Sequence, residues 1–189
     1  MRNIFLLLTL LYGIRSIGQV DYGVKAGVNF TGFPITEAIF SESLGYEIGG
    51  MAEYNINRTF SLHSELLVAH FQYDLFSNNQ SSENFRDFRH YISIPLFIQT
   101  SITKKLRFDV GIRGDFLIRE KVKGPYFDAV WKDNDFFNPA VVTGFSFRSY
   151  KDLLFQLHLA LDPDLDRFDS DIFSFSHYNL TFSVGYFLN

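Results

Sequence analysis

The sequence contains no cysteine, only one tryptophan and fewer basic than acidic residues. Without cysteine the chain can form no disulfide framework, no thiolate zinc site and no lipid-modified N-terminal cysteine. With 17 Lys and Arg against 21 Asp and Glu, the formal net charge is −4, which argues against a nucleic-acid partner. No apolar run approaches the roughly 20 residues of a membrane-spanning helix, so a helical membrane protein is excluded.

Aromatic side chains are abundant, with 23 Phe and 10 Tyr among 189 residues. Hydrophobic residues make up 47% of the chain, which is too much for a disordered protein. The length predicts a single domain.

The N-terminus has the features of an export signal. Arg2 is followed by an almost wholly apolar stretch over residues 4–12, and Ser16-Ile17-Gly18 supplies small residues at alternate positions. We predict a signal peptide over residues 1–18, cleaved before Gln19, and a mature β-barrel domain over residues 19–189.

The mature chain alternates between apolar and polar residues with a period of two, which is typical of half-polar β-strands. In one example, Tyr46, Ile48 and Tyr54 share one face, and Glu47 and Glu53 share the other. Eight such segments lie near residues 22–30, 44–55, 60–68, 92–99, 106–119, 141–148, 153–162 and 178–188. Pro95 lacks the amide N–H of a strand residue, so we expect a bulge or a local break there.

The connections between these segments alternate between short and long. Short turns are predicted at residues 55–58, 100–105 and 149–152, and long loops at 31–43, 72–89, 120–138 and 163–177. This layout predicts an all-β fold, an eight-stranded antiparallel up-and-down transmembrane β-barrel with both termini at the short-turn end.

Alternation alone is compatible with two barrels. A soluble lipocalin-like barrel points its apolar face inward around a ligand, whereas a membrane barrel points that face toward lipid. The apolar face carries about five large side chains per strand, too many for an interior that only just accommodates side chains. This volume argument favours the membrane barrel, and the lipocalin-like carrier stays as the alternative.

Three short motifs resemble the PorT-like outer-membrane β-barrel proteins of the Bacteroidetes. They are the first strand Tyr22–Phe30 (YGVKAGVNF), the aromatic-x-x-Ile-Pro-Leu type segment at Tyr91–Leu96 (YISIPL) and the ending Ser183–Leu188 (SVGYFL). The resemblance implies an outer-membrane barrel of the cell envelope. PorT itself is tied to type IX secretion, but no residue of this sequence points to that role.

Charged residues recur on the polar face, which a membrane barrel turns toward its lumen. The predicted lumenal charge network comprises Lys25, Glu47, Glu53, Glu65, Arg107, Asp109, Arg113, Asp115, Arg119 and Arg148. Charges withdrawn from water must be paired, and an eight-stranded barrel leaves no open channel. We therefore expect a charge-paired plug, and the alternative is a narrow ion or small-solute path.

Two further clusters are candidate sites. Ser61, His63 and Glu65 are the residue types of an acyl-transfer triad, but residues two apart on a strand are separated by roughly 6–7 Å, so we predict no catalysis. Closely spaced carboxylates in the last long loop could hold Ca²⁺: Asp162, Asp164, Asp166, Asp169 and Asp171. No other cofactor or metal is predicted.

The sequence therefore predicts a non-catalytic structural or interaction barrel in a bacterial outer membrane, with extracellular loops and periplasmic termini. The expected partners are outer-membrane lipid and lipopolysaccharide, the barrel assembly machinery and an envelope or secretion-system protein.

Overall fold

The chain forms a closed antiparallel β-barrel in the computed structural model, which describes residues 20–32, 43–76, 84–123, 128–129, 137–149, 152–163 and 175–188. The strands are β1 Val20–Gly32, β2 Ser43–Asn55, β3 Phe60–Phe76, β4 Asn84–Ser101, β5 Leu106–Lys123, β6 Asp128–Ala129, β7 Phe137–Arg148, β8 Leu153–Pro163 and β9 Phe175–Phe187. No helix in these ranges is long and apolar enough to cross a membrane. The predicted signal peptide lies outside the described residues.

Eight strands close the barrel by pairing each with its neighbour in the chain. β4 pairs with β5, β5 with β7, and β9 returns to β1. The two-residue strand β6 pairs only with the end of β5. The eight-stranded antiparallel prediction is confirmed, and the pairing of β9 with β1 closes the sheet, as a barrel in lipid requires.

β3, β4 and β5 extend further than the sequence pattern predicts. The pairing of β3 with β2 ends at His70, but β3 continues beside β4 as far as the pair Phe76–Asn84. Most of the loop predicted over residues 72–89 is therefore strand. We call the end of the barrel where these strands project the loop end, and the opposite end, with its short connections, the turn end.

The register fixes the tilt of the strands. Following directly paired residues once around the barrel from Phe108 leads back to β5 at Arg119. Arg119 lies eleven residues beyond Phe108, and one of the eleven is the unpaired Ile118, so the shear is ten. With strands about 4.8 Å apart and about 3.3 Å per residue, this shear corresponds to a tilt of about 41°.

Side chains shape the tight turns at the turn end. The Asn57 side-chain oxygen accepts hydrogen bonds from the backbone N–H groups of Thr59 and Phe60, both at 2.8 Å. Asp152 takes a positive φ of 59°, a left-handed conformation that Asp tolerates better than most residues. Polar turn residues thus set the short connections that the sequence pattern predicts.

The apolar faces of the strands point outward. Ile48, Leu66 and Ile112 are 59%, 60% and 62% exposed, whereas Glu53, His63 and Asp109 are fully buried inside. A lipocalin-like barrel requires the reverse arrangement. The outward apolar face predicted from the volume argument is therefore confirmed.

Pro95 interrupts one ladder without shifting its register. The pairs between β3 and β4 run up to Ser64–Leu96 and resume at Leu67–Ser93. The break lies opposite the missing N–H of Pro95, as its chemistry predicts.

Candidate functional site: the polar lumen

The centre of the lumen is an ionic cluster around Lys25. Its ammonium lies 2.6 Å from Glu65 Oε2 and 3.0 Å from Glu47 Oε1. The other Glu65 oxygen is 2.9 Å from His63 Nε2 and also accepts a hydrogen bond from Gln156 at 3.3 Å. These side chains come from β1, β2, β3 and β8, so the cluster ties opposite walls of the barrel together.

A second cluster lies nearer the turn end, around the buried carboxylate of Glu53. Arg107 approaches Glu53 at 2.7 Å, and Arg148 lies 3.6 Å from its other oxygen. Arg148 also forms an ion pair with Asp21 at 2.7 Å and lies 3.5 Å from Asp152. Because two guanidiniums face several carboxylates, the positive charge of this cluster is compensated.

A third group centres on Asp109, which is completely buried. His158 Nε2 lies 2.8 Å from Asp109 Oδ2, and Ser146 donates to Oδ1 at 3.1 Å. Gln99 in turn donates to Ser146 and accepts from Arg107, which connects this group to the turn-end cluster.

Toward the loop end, Arg113 pairs with Asp115 on its own strand at 2.8 Å and lies 3.7 Å from Asp162. The Arg113 guanidinium also sits over the ring of Phe71, 5.7 Å from its centroid. Above this level Glu120 is buried and pairs with Arg89 at 3.0 Å.

The structure places nine of the ten predicted network residues inside the barrel, and the exception is Arg119. It is exposed on the outer surface, so its predicted lumenal position is wrong. The reason is a β-bulge: His90 pairs with Arg119 but Tyr91 pairs with Leu117, which leaves Ile118 unpaired. An extra residue in a strand exchanges the two faces beyond it.

Apolar side chains seal the lumen at several heights. Phe187, Met51 and Leu154 pack together inside the turn end, and Arg148 lies over the Phe187 ring at 4.1 Å. Two more clusters fill higher levels, one of Phe97, Ala140, Val142 and Ala160, the other of Ala69, Phe71, Tyr91 and Leu117. Polar and apolar layers thus succeed one another along the barrel axis.

Several polar groups that fill the lumen lie outside the predicted charge network. The polar linkers Gln99, Ser146, Gln156 and His158 lie on the predicted polar faces, so the alternation places them in the lumen although they are not among the predicted charges. Glu120 carried no such signal because the bulge before it reverses its face.

Of the candidate triad Ser61, His63 and Glu65, the structure brings His63 and Glu65 together. The side chains of His63 and Glu65 lean toward each other and meet at 2.9 Å, so the prediction that their spacing keeps them apart is wrong. Ser61 instead donates to Gln99 at 3.3 Å. All three side chains are buried, with exposures of 4%, 0% and 2%.

The predicted Ca²⁺ loop falls mostly outside the described residues. Asp164, Asp166, Asp169 and Asp171 are not described, and Asp162 faces Arg113. Within the described part of the chain, no three His, Asp or Glu side chains are grouped so that they could hold a metal ion.

A family model described as an outer membrane protein beta-barrel domain matches residues 14–189. The chain belongs to this family. Its location in the bacterial outer membrane agrees with the outward apolar surface. Among curated proteins, none gives a significant sequence match.

The fold of this chain is similar to the solved structures of several outer-membrane proteins. Neisserial surface protein A superposes with a TM-score of 0.51 at 12% identity, covering 89% of this chain and 96% of that one. Ail, the attachment invasion locus protein of Yersinia pestis, gives a TM-score of 0.47 at 8% identity, with 89% and 95% covered. Outer membrane protein W of E. coli gives 0.43 at 13% identity, with 89% and 97% covered. At these identities the likeness to the Neisserial protein concerns the fold alone.

Proposed function

We propose that this outer-membrane barrel is a non-conducting, non-catalytic structural or interaction protein. The observation that carries the proposal is the network of buried ion pairs around Lys25 and Glu53, which fills the middle of the lumen. A solute could pass only if these buried ion pairs were separated, and separating a buried ion pair is costly because each charge is left without its partner. The apolar clusters that contain Phe187 and Phe97 pack beside this network and occupy further space in the lumen.

Electrical recording in planar lipid bilayers tests the absence of conduction. The purified barrel is expected to give no unitary current steps above those of protein-free membranes. Steps that change in size in an Arg113→Ala variant would contradict the proposal and favour the narrow channel. A Lys104→Ala variant is the matched control, since this exposed turn residue lies outside the lumen.

The proposal of a non-catalytic barrel rests on Ser61, His63 and Glu65. An acyl-transfer nucleophile must reach a substrate and its general base. Ser61 is instead buried beside Gln99. A His63→Ala variant that abolished modification of lipid A in cells would overturn this part of the proposal.

We infer that the loop end faces the extracellular space and that the turn end and both termini are periplasmic. The short connections at one end and the longer segments at the other support this orientation, because outer-membrane barrels have short periplasmic turns. An epitope inserted within residues 164–174 should bind antibody on intact cells. An epitope inserted after Asn57 should bind only after the outer membrane is permeabilised, and the opposite pattern would reverse the orientation.

The finer proposal is that the chain is a PorT-like barrel of the Bacteroidetes whose loops contact an envelope or secretion-system protein. The motifs at Tyr22–Phe30, Tyr91–Leu96 and Ser183–Leu188 support it. Replacing residues 165–173 by a Gly-Ser segment should abolish the cellular role while the barrel still shows heat-modifiable mobility. Full function without this segment would argue against it as the contact.

A further inference from the structure

One row of directly paired residues runs around the outer surface of the barrel and changes from apolar to polar along its length. Starting at Phe108, the row continues outward-facing through Phe145, Leu157, Phe182 and Val28. It then passes through Tyr46, His70, His90 and Arg119 on four adjacent strands. The chemistry along the row thus changes from aliphatic and aromatic to tyrosine, histidine and arginine.

Because the strands are tilted, this row climbs along the barrel axis as it passes from strand to strand. A shear of ten residues at a tilt of about 41° raises the row by about 25 Å along the barrel axis in one circuit. The apolar band of an outer-membrane barrel is also about 25 Å tall. Arg119 thus lies about one band height above Phe108, and the polar part of the row rises toward the loop-end boundary.

The four residues are in mutual contact or directly paired. The ring centroids of Tyr46 and His70 are 5.0 Å apart, and those of His70 and His90 are 4.6 Å apart. Phe88 stacks on His70 at 6.0 Å with an interplanar angle of 10°. Arg119 is the register partner of His90, and opposite side chains of an antiparallel pair lie side by side on one face.

The bulge at Ile118 is what brings a cation to this row. Without it, Ile118 would be the partner of His90, Arg119 would face the lumen, and Glu120 would face outward opposite Phe88. Bulges commonly redirect side chains near functional sites. Here the result is a guanidinium and two imidazoles on the outer surface, with the carboxylate of Glu120 turned inside to Arg89.

We propose that Tyr46, His70, His90 and Arg119 form a binding site for the phosphate of a membrane lipid headgroup. Guanidinium and imidazole N–H groups and the tyrosine hydroxyl can all donate hydrogen bonds to phosphate oxygens. Tyr46 and Phe88 lie where aromatic side chains of membrane proteins contact the lipid interface. The site adjoins the apolar band, so the acyl chains of the same lipid can cover the band while the phosphate meets the row.

The test is a binding titration of the full-length protein in dodecyl maltoside micelles with fluorescent phosphatidic acid. Arg119→Gln is expected to weaken binding about fivefold, because a basic side chain near an anionic lipid surface contributes an interaction of that size. The double variant His70→Gln/His90→Gln is expected to weaken it further. Arg58→Gln is the matched control, since it removes the same charge from the exposed turn end and should leave the affinity unchanged.

Three results would overturn the inference: equal weakening by Arg58→Gln and Arg119→Gln, absence of binding by the unmodified protein, or displacement of the lipid by an equal concentration of inorganic phosphate. The last would identify a free-anion site rather than a lipid site. Heat-modifiable mobility of each variant shows that it is folded. The titration depends on neither conductance nor orientation, so it can fail while the proposed function holds.

Discussion

Replacing Lys25 with methionine would leave Glu47 and Glu65 inside the barrel without their cation. The Lys25 side chain is 2% exposed, and its partners are 5% and 0% exposed. Removing one member of a buried ion pair costs about 3–5 kcal/mol, because the remaining charge is uncompensated. We expect Lys25→Met to lower the free energy of unfolding by this amount.

The assay is urea unfolding of the barrel in lipid vesicles, followed by the heat-modifiable shift of folded protein on semi-native gels. Lys104→Met is the control, since this exposed turn residue should change stability by less than about 0.5 kcal/mol. Adding Glu47→Gln and Glu65→Gln to Lys25→Met removes the stranded charges and should recover most of the loss. A loss below about 1 kcal/mol for Lys25→Met, or no recovery in the triple variant, would refute the compensated network.

Four further outcomes follow from the packing of the barrel wall and from its contact with lipid. Gly111→Val should destabilise the barrel by about 1–3 kcal/mol or prevent folding, because a Cβ would lie 2.0 Å from the Leu96 carbonyl oxygen. Gly50→Ala should be neutral in the same unfolding assay, because the nearest atom to its Cβ is the Gly23 carbonyl oxygen at 3.8 Å. Ile112→Arg places a charge on the apolar band and should cost about 2–4 kcal/mol. Ile102→Arg, in an exposed turn, should cost little, and equal costs at the two sites would show that the outer face does not contact lipid.

The sequence predicted the barrel because the period of two is a local property of each strand. Once Ile48 and Glu47 are on opposite faces, only the direction of the faces is left to decide. Volume decides it, since an eight-stranded interior cannot hold the large side chains of the apolar face. The break at Pro95 was predictable for the same reason, because it follows from one missing N–H.

Side-chain contacts across the barrel were much less predictable. That Lys25 meets Glu65 forty residues away depends on the shear, which the sequence pattern does not contain. The His63–Glu65 contact was misjudged because the spacing of strand residues describes backbone positions, whereas long side chains can lean along the strand. The bulge at Ile118 has no marker such as glycine, so the reversal of Arg119 and Glu120 could not be read from alternation.

The height of an arginine along the barrel axis determines the free-energy cost of turning its charge outward. Arg113 lies between the heights of Phe108 and Arg119, where an outward charge would meet hydrocarbon, and it faces inward to Asp115. Arg107 and Arg148 lie just on the turn-end side of Phe108 and also face inward, to Glu53 and Asp21. Arg119 lies about 25 Å above Phe108, at the boundary where the cost of facing outward falls to about 0–1 kcal/mol. A bulge in the turn-end half of β5 would exchange the faces beyond it and turn Arg113 outward into lipid. At Ile118 it instead places a cation beside lipid headgroups, which is why we assign the bulge to recognition rather than to accident.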